Sequence, residues 1–415
     1  MKGFDGSMKA IWTARRKKTG CNGLTTLRLA LGLVVGCLWV SSPVLQAIPI
    51  PFEATRSIIS SAHPSALGGL PALKTEFIRP WAAGAHAALA PTAIPFYKDK
   101  TVRVIVPVSA GGSFDVWARL LVRHMSRYLS GNPSFIVQNM TGGGGVVGAN
   151  YLYGIAKPDG LTIGTVSPNG YLNQLMDRPE VKFDWAKYSW IGSTATGHEL
   201  LYVRADTGHK TLEDVIKAVT PPLCASIGAG TTGSFIPKLL QKLFGARFKI
   251  VEGYPGGVES DLAVARNEMN CRATSIVTYL YREPTKGWHE RGFTRVLVQT
   301  GQKKHPALPE VPSIWELADR KAVPDVERRV MEIILAGGSF GVPFLAPPAI
   351  PEESLRLLRE AFVKTMEDGE FRAEVEQNQG FEIRPVSGHD LENLARRIIA
   401  LPTKVAIELQ RFLSL

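Results

Sequence analysis

Branched apolar residues crowd residues 102–108 (Val102, Val104, Ile105, Val106, Val108), and the run breaks at Gly111-Gly112. The apolar spacing then lengthens: Trp117, Leu120, Leu121, Met125 and Tyr128 fall on one helical stripe, and Arg119, Arg123 and Arg127 recur four apart on another. This reads as strand, tight turn and amphipathic helix, with the stripe in the core, the arginines on a solvated face and Gly131 as a C-terminal cap. Asp115, two residues past a Ser113 cap, is expected to stabilise the start of that helix rather than to perform chemistry. The pattern repeats with a strand at 135–137, a glycine-rich turn at 141–145, a helix at 146–156 and a strand at 161–166. Strand-helix-strand units of this length predict a parallel sheet with right-handed crossovers.

A second set follows residue 207. Thr211 can cap a helix over 212–218, and strands are expected at 223–227, 248–251 and 271–277. Turns at 228–234 and 253–257 lead into helices at 235–244 and 258–267. One more strand at 295–300 precedes helical stretches at 314–317 and 326–335. Gly337-Gly338 opens a return strand over 340–345, and amphipathic helices at 352–367, 369–378 and 390–413 would cover a sheet. The chain is expected to cross between sets near 200–204 and again near 337–344. Two α/β lobes joined in this way form a clamshell, each lobe a mostly parallel sheet flanked by helices. Ligands of open parallel sheets bind beyond the carboxyl ends of the strands, which points to the cleft.

Every glycine-rich turn falls at such a strand end. The turns offer backbone N–H groups and small hydroxyls with few charges, a surface that binds anions by dipoles and is poorly equipped to break bonds. No Gly-x-Ser-x-Gly elbow and no Gly-Lys-Ser/Thr phosphate loop occurs in the sequence. Gly143, Gly145 and Gly148 spell a dinucleotide fingerprint, so a nicotinamide-dependent oxidoreductase is a remote alternative. The strand after it ends Thr165-Val-Ser-Pro168, without the acidic residue that a ribose needs. His124, His198 and His289 stand apart and read as packing or surface residues, and Arg272 reads as structural. No catalytic residue, cofactor or metal site is expected.

The totals change this picture in three places. With 415 residues the chain can build two sizeable cores. The formal charge of +11 suggests nucleic acid until it is located: residues 1–47 carry seven basic residues against Asp5 alone, and the remainder is mildly basic without a basic-aromatic run. No nucleic-acid partner is expected. The same segment has a basic region (15–18), an apolar core (27–40) and small residues ending at Ala47, the parts of an export signal; an uncleaved anchor is the alternative. Arg15-Arg16 and Gly36-Cys37 are too weak for a twin-arginine or a lipoprotein signal. Residues 48–95, rich in Ala, Pro and Ser, read as a flexible tether or extended leader. Cys21 and Cys37 fall in the signal, which leaves Cys224 and Cys271 in a compartment that permits disulfides.

Thr101-Val-Arg-Val-Ile-Val-Pro-Val-Ser-Ala-Gly-Gly-Ser-Phe-Asp115, with the helix after it, resembles the opening of the tripartite tricarboxylate transporter solute receptors, also called Bug proteins. Gln138-Asn-Met-Thr-Gly-Gly-Gly-Gly145, Lys157-Pro-Asp-Gly160, Gly253-Tyr-Pro-Gly-Gly257, His305-Pro-Ala-Leu-Pro-Glu-Val-Pro312 and Phe344-Leu-Ala-Pro-Pro348 follow in the family's order, so the resemblance runs from Phe96 to the C-terminus. It implies a type II periplasmic-binding-protein clamshell with lobe 1 built from 96–202 and 338–415 and lobe 2 from 203–337. It also implies an exported bacterial receptor, expected to be a monomer in the periplasm, that closes on a small carboxylated solute for the subunits of a membrane transporter. A ligand sensor feeding a signalling partner is the alternative. Family ligand contacts carry over onto Ala110, Gly111, Gly112, Ser113 and Asp115, onto Ser167 and Asn169, onto Gly230, Thr231, Thr232 and Ser234, and onto Ser275 and Thr278. The usual Gly-Glu-Val-Asp before the third strand of lobe 2 reads Asn267-Glu-Met-Asn270 here, so the lobe 2 contacts are the part that departs most. In the strand order that the resemblance implies, Cys224 and Cys271 start neighbouring parallel strands. A disulfide between them is expected, with two free buried thiols as the alternative.

Overall fold

A computed structural model describes residues 95–413 of the chain. The expected signal (1–47) and the tether as far as residue 94 lie outside the described residues. The first pass comprises β1 (Thr101–Val106), α1 (Ser113–Met125), β2 (Ser134–Asn139), α2 (Val146–Gly154), β3 (Thr162–Thr165), α3 (Gly170–Leu175) and β4 (Ser189–Ser193). The second comprises β5 (Glu199–Arg204), α4 (Leu212–Ile216), β6 (Leu223–Ser226), α5 (Thr232–Phe244), β7 (Lys249–Glu252), α6 (Gly257–Ala265), β8 (Cys271–Ser275), α7 (Ile276–Tyr281), α8 (Thr285–Glu290), β9 (Thr294–Gln299), α9 (Ile314–Arg320) and α10 (Asp325–Leu335). The chain returns through α11 (Gly337–Phe340) to β10 (Pro343–Ala346), α12 (Glu352–Glu367), α13 (Gly369–Gln379), β11 (Val386–Ser387), α14 (Gly388–Ile399) and α15 (Thr403–Leu413). No helix among the described residues is long and apolar enough to cross a membrane.

Two sheets result, ordered β11-β4-β10-β3-β1-β2 and β7-β6-β8-β5-β9. Within each, the strands made by strand-helix-strand units are parallel: β3, β1 and β2 in one, β7, β6 and β8 in the other. The strands that carry the chain across from the opposite lobe, β10 and β5, enter antiparallel to their neighbours, so both sheets are mixed. The parallel strands place all their turns, and the helix N-termini that follow them, at one edge of each sheet. Those two edges face each other.

Several local readings shift. The first crossing occupies residues 194–198 rather than 200–204, because 199–204 is the fully buried strand β5, whose uniform burial leaves no alternation to read. The strand expected over 271–277 stops at Ser275, whose side chain accepts from the Thr278 N–H and starts α7. The helix expected over 390–413 is two helices, parted at Leu401-Pro402, since a proline within a helix removes a donor and clashes with the preceding turn. Gly131 does not cap α1, which runs on as a 3-10 turn over Ser126–Tyr128. Its φ of +104° and missing side chain instead let the Tyr97-Lys98 backbone pass against it. The arginine face of α1 is half exposed but not bare: Arg123 pairs with Glu374 on α13, and Arg127 with Asp368 and Glu370 at its start.

The stripe of α1 packs with β1, β10 and α12 in one core that contains Trp117, Leu121, Met125, Phe344 and Phe362. An aromatic cluster of Tyr171, Trp185, Tyr188, Trp190 and Phe340 fills the region beneath β4, where the second crossing returns. Helix α15 packs on α5 and α10, and also on α3, so the end of the described chain ties the first and second passes together.

Cys224 and Cys271 are directly paired across β6 and β8, with Cα atoms 4.3 Å apart, and are joined as a disulfide. The bond closes a loop with a sequence separation of 47, which in the chain-entropy account stabilises the folded state by about 4 kcal/mol. Replacing both cysteines by alanine is therefore expected to lower stability by a few kcal/mol in denaturant melts. Denatured, unreduced protein without the leader should show no free thiol; two reactive thiols would refute the bond.

Candidate functional site

The turn between β1 and α1 is shaped by one buried carboxylate. Gly112 is the N-cap of α1, so Asp115, in the first turn, reaches back rather than out, and its carboxylate accepts from the Gly111 N–H at 2.9 Å. The same carboxylate accepts from Arg119 Nε at 3.0 Å and from Asn139 Nδ2 at 2.9 Å, and Asn139 also donates to the Val108 carbonyl at 2.9 Å. Burial alone would raise the Asp115 carboxyl, but the Arg119, Gly111 and Asn139 donors outweigh it and hold it below the ordinary aspartate range. The turn is thus locked to the end of β2. The N–H groups of Ser113 and Phe114 are left without an acceptor among the described residues.

Those groups border a cavity of about 220 Å³ between the two sheets. Three helices of nine residues or more begin at its wall: α1 at Gly112-Ser113, α5 at Thr231-Thr232-Gly233 and α6 at Gly257-Val258. Each contributes the positive end of its dipole. The wall is otherwise largely apolar, with Phe114 and Trp117 from α1, Val108 and Ile227 from the strand ends, and Val277 and Val342 opposite.

The lobes meet around this space. Ser109 Oγ donates to Glu259 Oε2 at 2.8 Å, and Thr278 Oγ1 lies 3.5 Å from Ser113 Oγ. Arg282 donates to the Gly111 carbonyl at 2.5 Å. Gly144, with φ +65°, lies where an added Cβ would sit 2.9 Å from the Ala229 carbonyl, so the glycine run lets the two lobes close to backbone contact. The lobes are thus in contact on both sides of the cavity. The fingerprint-like Gly145 and Gly148 have packing reasons within the first lobe: Gly145, with φ +96°, lies against Pro107, and an added Cβ on Gly148 would sit 3.3 Å from the Met140 carbonyl.

Of the residues carried over from the resemblance, Gly112, Ser113, Ser167, Thr231, Thr232, Ser275 and Thr278 line the cavity. Ala110 and Gly111 form the exposed apex of the β1 turn, and Asp115 stands behind it. Asn169 is fully buried against Gly337, and neither of its amide atoms has a partner among the described residues. Gly230 lies against the Asn173 side chain, and Ser234 donates to Glu252 at 2.6 Å; neither borders the cavity.

Five charged residues at the wall, Glu199, Asp261, Arg272, Arg282 and Glu283, escaped the sequence reading or were read as structural. Arg272 Nη1 and Asp261 form a buried ion pair, with the Tyr202 hydroxyl donating to Asp261 at 3.1 Å, so Arg272 enters the cavity already neutralised. Arg282 forms no ion pair among the described residues, and burial lowers its guanidinium from the ordinary value against the pull of Asp261. Its position four residues past Thr278 was the available clue. Glu199, at the start of β5, is buried, and its carboxyl is pushed up to about 7 by that burial. A single carboxylate heading Glu199-Leu-Leu-Tyr-Val was its only trace in the sequence.

A family model described as the tripartite tricarboxylate transporter family receptor matches residues 117–405. The UPF0065 protein encoded in the gbd 5′ region of Cupriavidus necator is 28% identical over 301 residues, which span 70% of this chain and 84% of that protein. Among solved structures, MatC of Rhodopseudomonas palustris with bound malate superposes with a TM-score of 0.58 at 19% identity, covering 76% of this chain and 99% of that one. A second R. palustris protein, solved with adipate, gives a TM-score of 0.58 at 21% identity over 76% and 97% of the two chains. These two likenesses establish a shared two-lobed α/β fold. The family match spans well over half of the sequence, from within α1 to the start of α15, and the chain belongs to the tripartite tricarboxylate transporter receptor family.

Proposed function

We propose that this protein is a periplasmic solute-binding receptor that closes its two lobes on a small carboxylate and hands it to membrane transporter subunits, without turnover. The observation that carries the reading is the convergence of the α1, α5 and α6 N-termini on one closed cavity with hydroxyls at Ser113, Thr232, Ser275 and Thr278. Backbone N–H groups and hydroxyls give a carboxylate several hydrogen bonds, and the helix dipoles favour its charge without a fully desolvated cation. The largely apolar remainder suits a carbon body. Related proteins solved with malate and adipate support the same ligand class.

In this reading lobe 1 comprises 96–198 with 338–415 and lobe 2 comprises 199–337, the boundary moving from the expected 202 because β5 pairs within the second sheet. The solute carboxylate lies at Gly112-Ser113, with Ser167, Thr231, Thr232, Ser275 and Thr278 completing the site, while Asp115 holds the turn. The other carried-over residues act from behind the wall: Ala110 and Gly111 shape the turn, and Asn169, Gly230 and Ser234 support the facing loops. One chain takes one solute.

Two outcomes test the site. Ser113→Asp places a carboxylate at the α1 N-terminus and is expected to abolish binding in calorimetric titration against a panel of small carboxylates, while Ser113→Ala weakens it by about 1 kcal/mol; unchanged affinity in Ser113→Asp would remove the anion from this turn. Gly144→Ala inserts a methyl where the lobes touch. It should weaken binding about tenfold through incomplete closure and leave the ligand-bound protein more extended in small-angle scattering, with little change in far-ultraviolet circular dichroism.

A further inference from the structure

Glu199 heads β5 where the chain has just crossed from the first lobe, and its side chain borders the hinge wall of the cavity, a different wall from the α1 turn. Its surroundings are sparse. Thr300 Oγ1 donates to Glu199 Oε2 at 3.1 Å and itself accepts from the Glu199 N–H at 2.9 Å. An added Cβ on Gly338 would lie 3.9 Å from Oε2, so the glycine backbone passes close by without offering a charge. The buried Tyr171 phenol stands near but donates to the Ile333 carbonyl at 2.6 Å. The only groups that favour the ionised form are the Thr300 hydroxyl and the Glu199 amide.

The cations of the cavity are committed elsewhere. Arg272 is paired with Asp261, and Arg282 is drawn to the Gly111 carbonyl beside the α1 turn. A buried carboxyl with one hydrogen-bond donor keeps unfilled acceptor capacity, and leaving such capacity unmet is costly. Above about pH 7, where Glu199 is ionised, a second carboxylate brought to this wall would meet like charge in a desolvated space, with the Arg272 and Arg282 guanidiniums engaged elsewhere.

We propose that Glu199 is the specificity-determining residue of this cavity: it accepts a hydrogen bond from a hydroxyl or amino group at the end of the solute that faces the hinge, and it turns away a second carboxylate there. The inference rests on the receptor reading above and narrows its ligand class to monocarboxylates that carry an apolar body and a terminal hydrogen-bond donor. The size agrees. An apolar cavity of about 150 Å³ holds benzene, so 220 Å³ leaves room for a ring or a six-carbon chain with a polar group at each end.

The test is calorimetric titration of the leaderless protein at a pH about two units above 7, where Glu199 is ionised, with matched pairs, 4-hydroxybenzoate against terephthalate and 6-hydroxyhexanoate against adipate. In at least one pair the hydroxy acid is expected to bind about 30-fold more tightly than the dicarboxylate. Glu199→Gln, which keeps the shape and removes the charge, should shrink that ratio to about threefold or less. The ratio in the unsubstituted protein does not depend on the variant's folding. Dicarboxylates that bind as tightly as their hydroxy-acid matches in both pairs, or a ratio unmoved by Glu199→Gln in protein of normal circular dichroism, overturn the role of Glu199 and leave the receptor reading intact. Absence of binding across a broad panel of mono- and dicarboxylates of this size overturns both.

Discussion

The Asp115 carboxylate is the interaction on which the site depends. It is buried at the back of the β1 turn and takes donors from three places: the Gly111 backbone, Arg119 one helical turn on, and Asn139 at the end of the neighbouring strand. Charge-assisted hydrogen bonds of this kind are worth about 1.5–3 kcal/mol each. Their more important effect is geometric, because they hold the turn so that Ser113 and Phe114 keep their N–H groups free at the cavity wall. In the proposed site a carboxylate thus shapes the turn from behind, with its charge spent on its own donors.

The cavity shows the same economy elsewhere. Arg272 would be a strong anchor for an anion, yet Asp261 and Tyr202 hold it as part of the lobe 2 wall. What remains for a solute is mostly dipoles and hydroxyls, with Arg282 at the seam and Glu199 at the hinge. Dipoles fixed by the backbone are already oriented when the solute arrives, so little reorganisation opposes binding. At the cleft the lobes touch through Ser109, Arg282, Thr278 and the Gly144 backbone, while away from it α15 packs on both α3 and α5. A solute that bridges both lobes adds contacts available only when they meet, and so favours closure.

Local chemistry made much of this legible in advance. The shift from period 2 to period 3.6 across Gly111-Gly112 located β1, its turn and α1, and glycine-rich turns after the parallel strands marked the edge where ligands gather. The pairing of Cys224 with Cys271 followed from strand order in the resembling family. Buried strands were harder: β4 and β5 lack alternation because both faces are covered, and the pattern missed them along with short helices such as α3 and α8.

The sequence by itself determined the alternation of strands and helices, the anion-friendly turns and the family, since each is written in residues close together along the chain. Tertiary structure alone decided which polar groups are spent and which are available. Asp115 was visible as a helix-start carboxylate, but its bond to Asn139 required β1 and β2 to lie side by side. Arg272 and Asp261 are 11 residues apart, and only the packing of α6 against β8 neutralises them. The solvation of Glu199 likewise depends on the returning Gly337-Gly338 segment and on Thr300, 101 positions away. Burial and pairing are properties of a site's whole surroundings, and those are assembled from parts of the chain that carry no mark of one another until it folds.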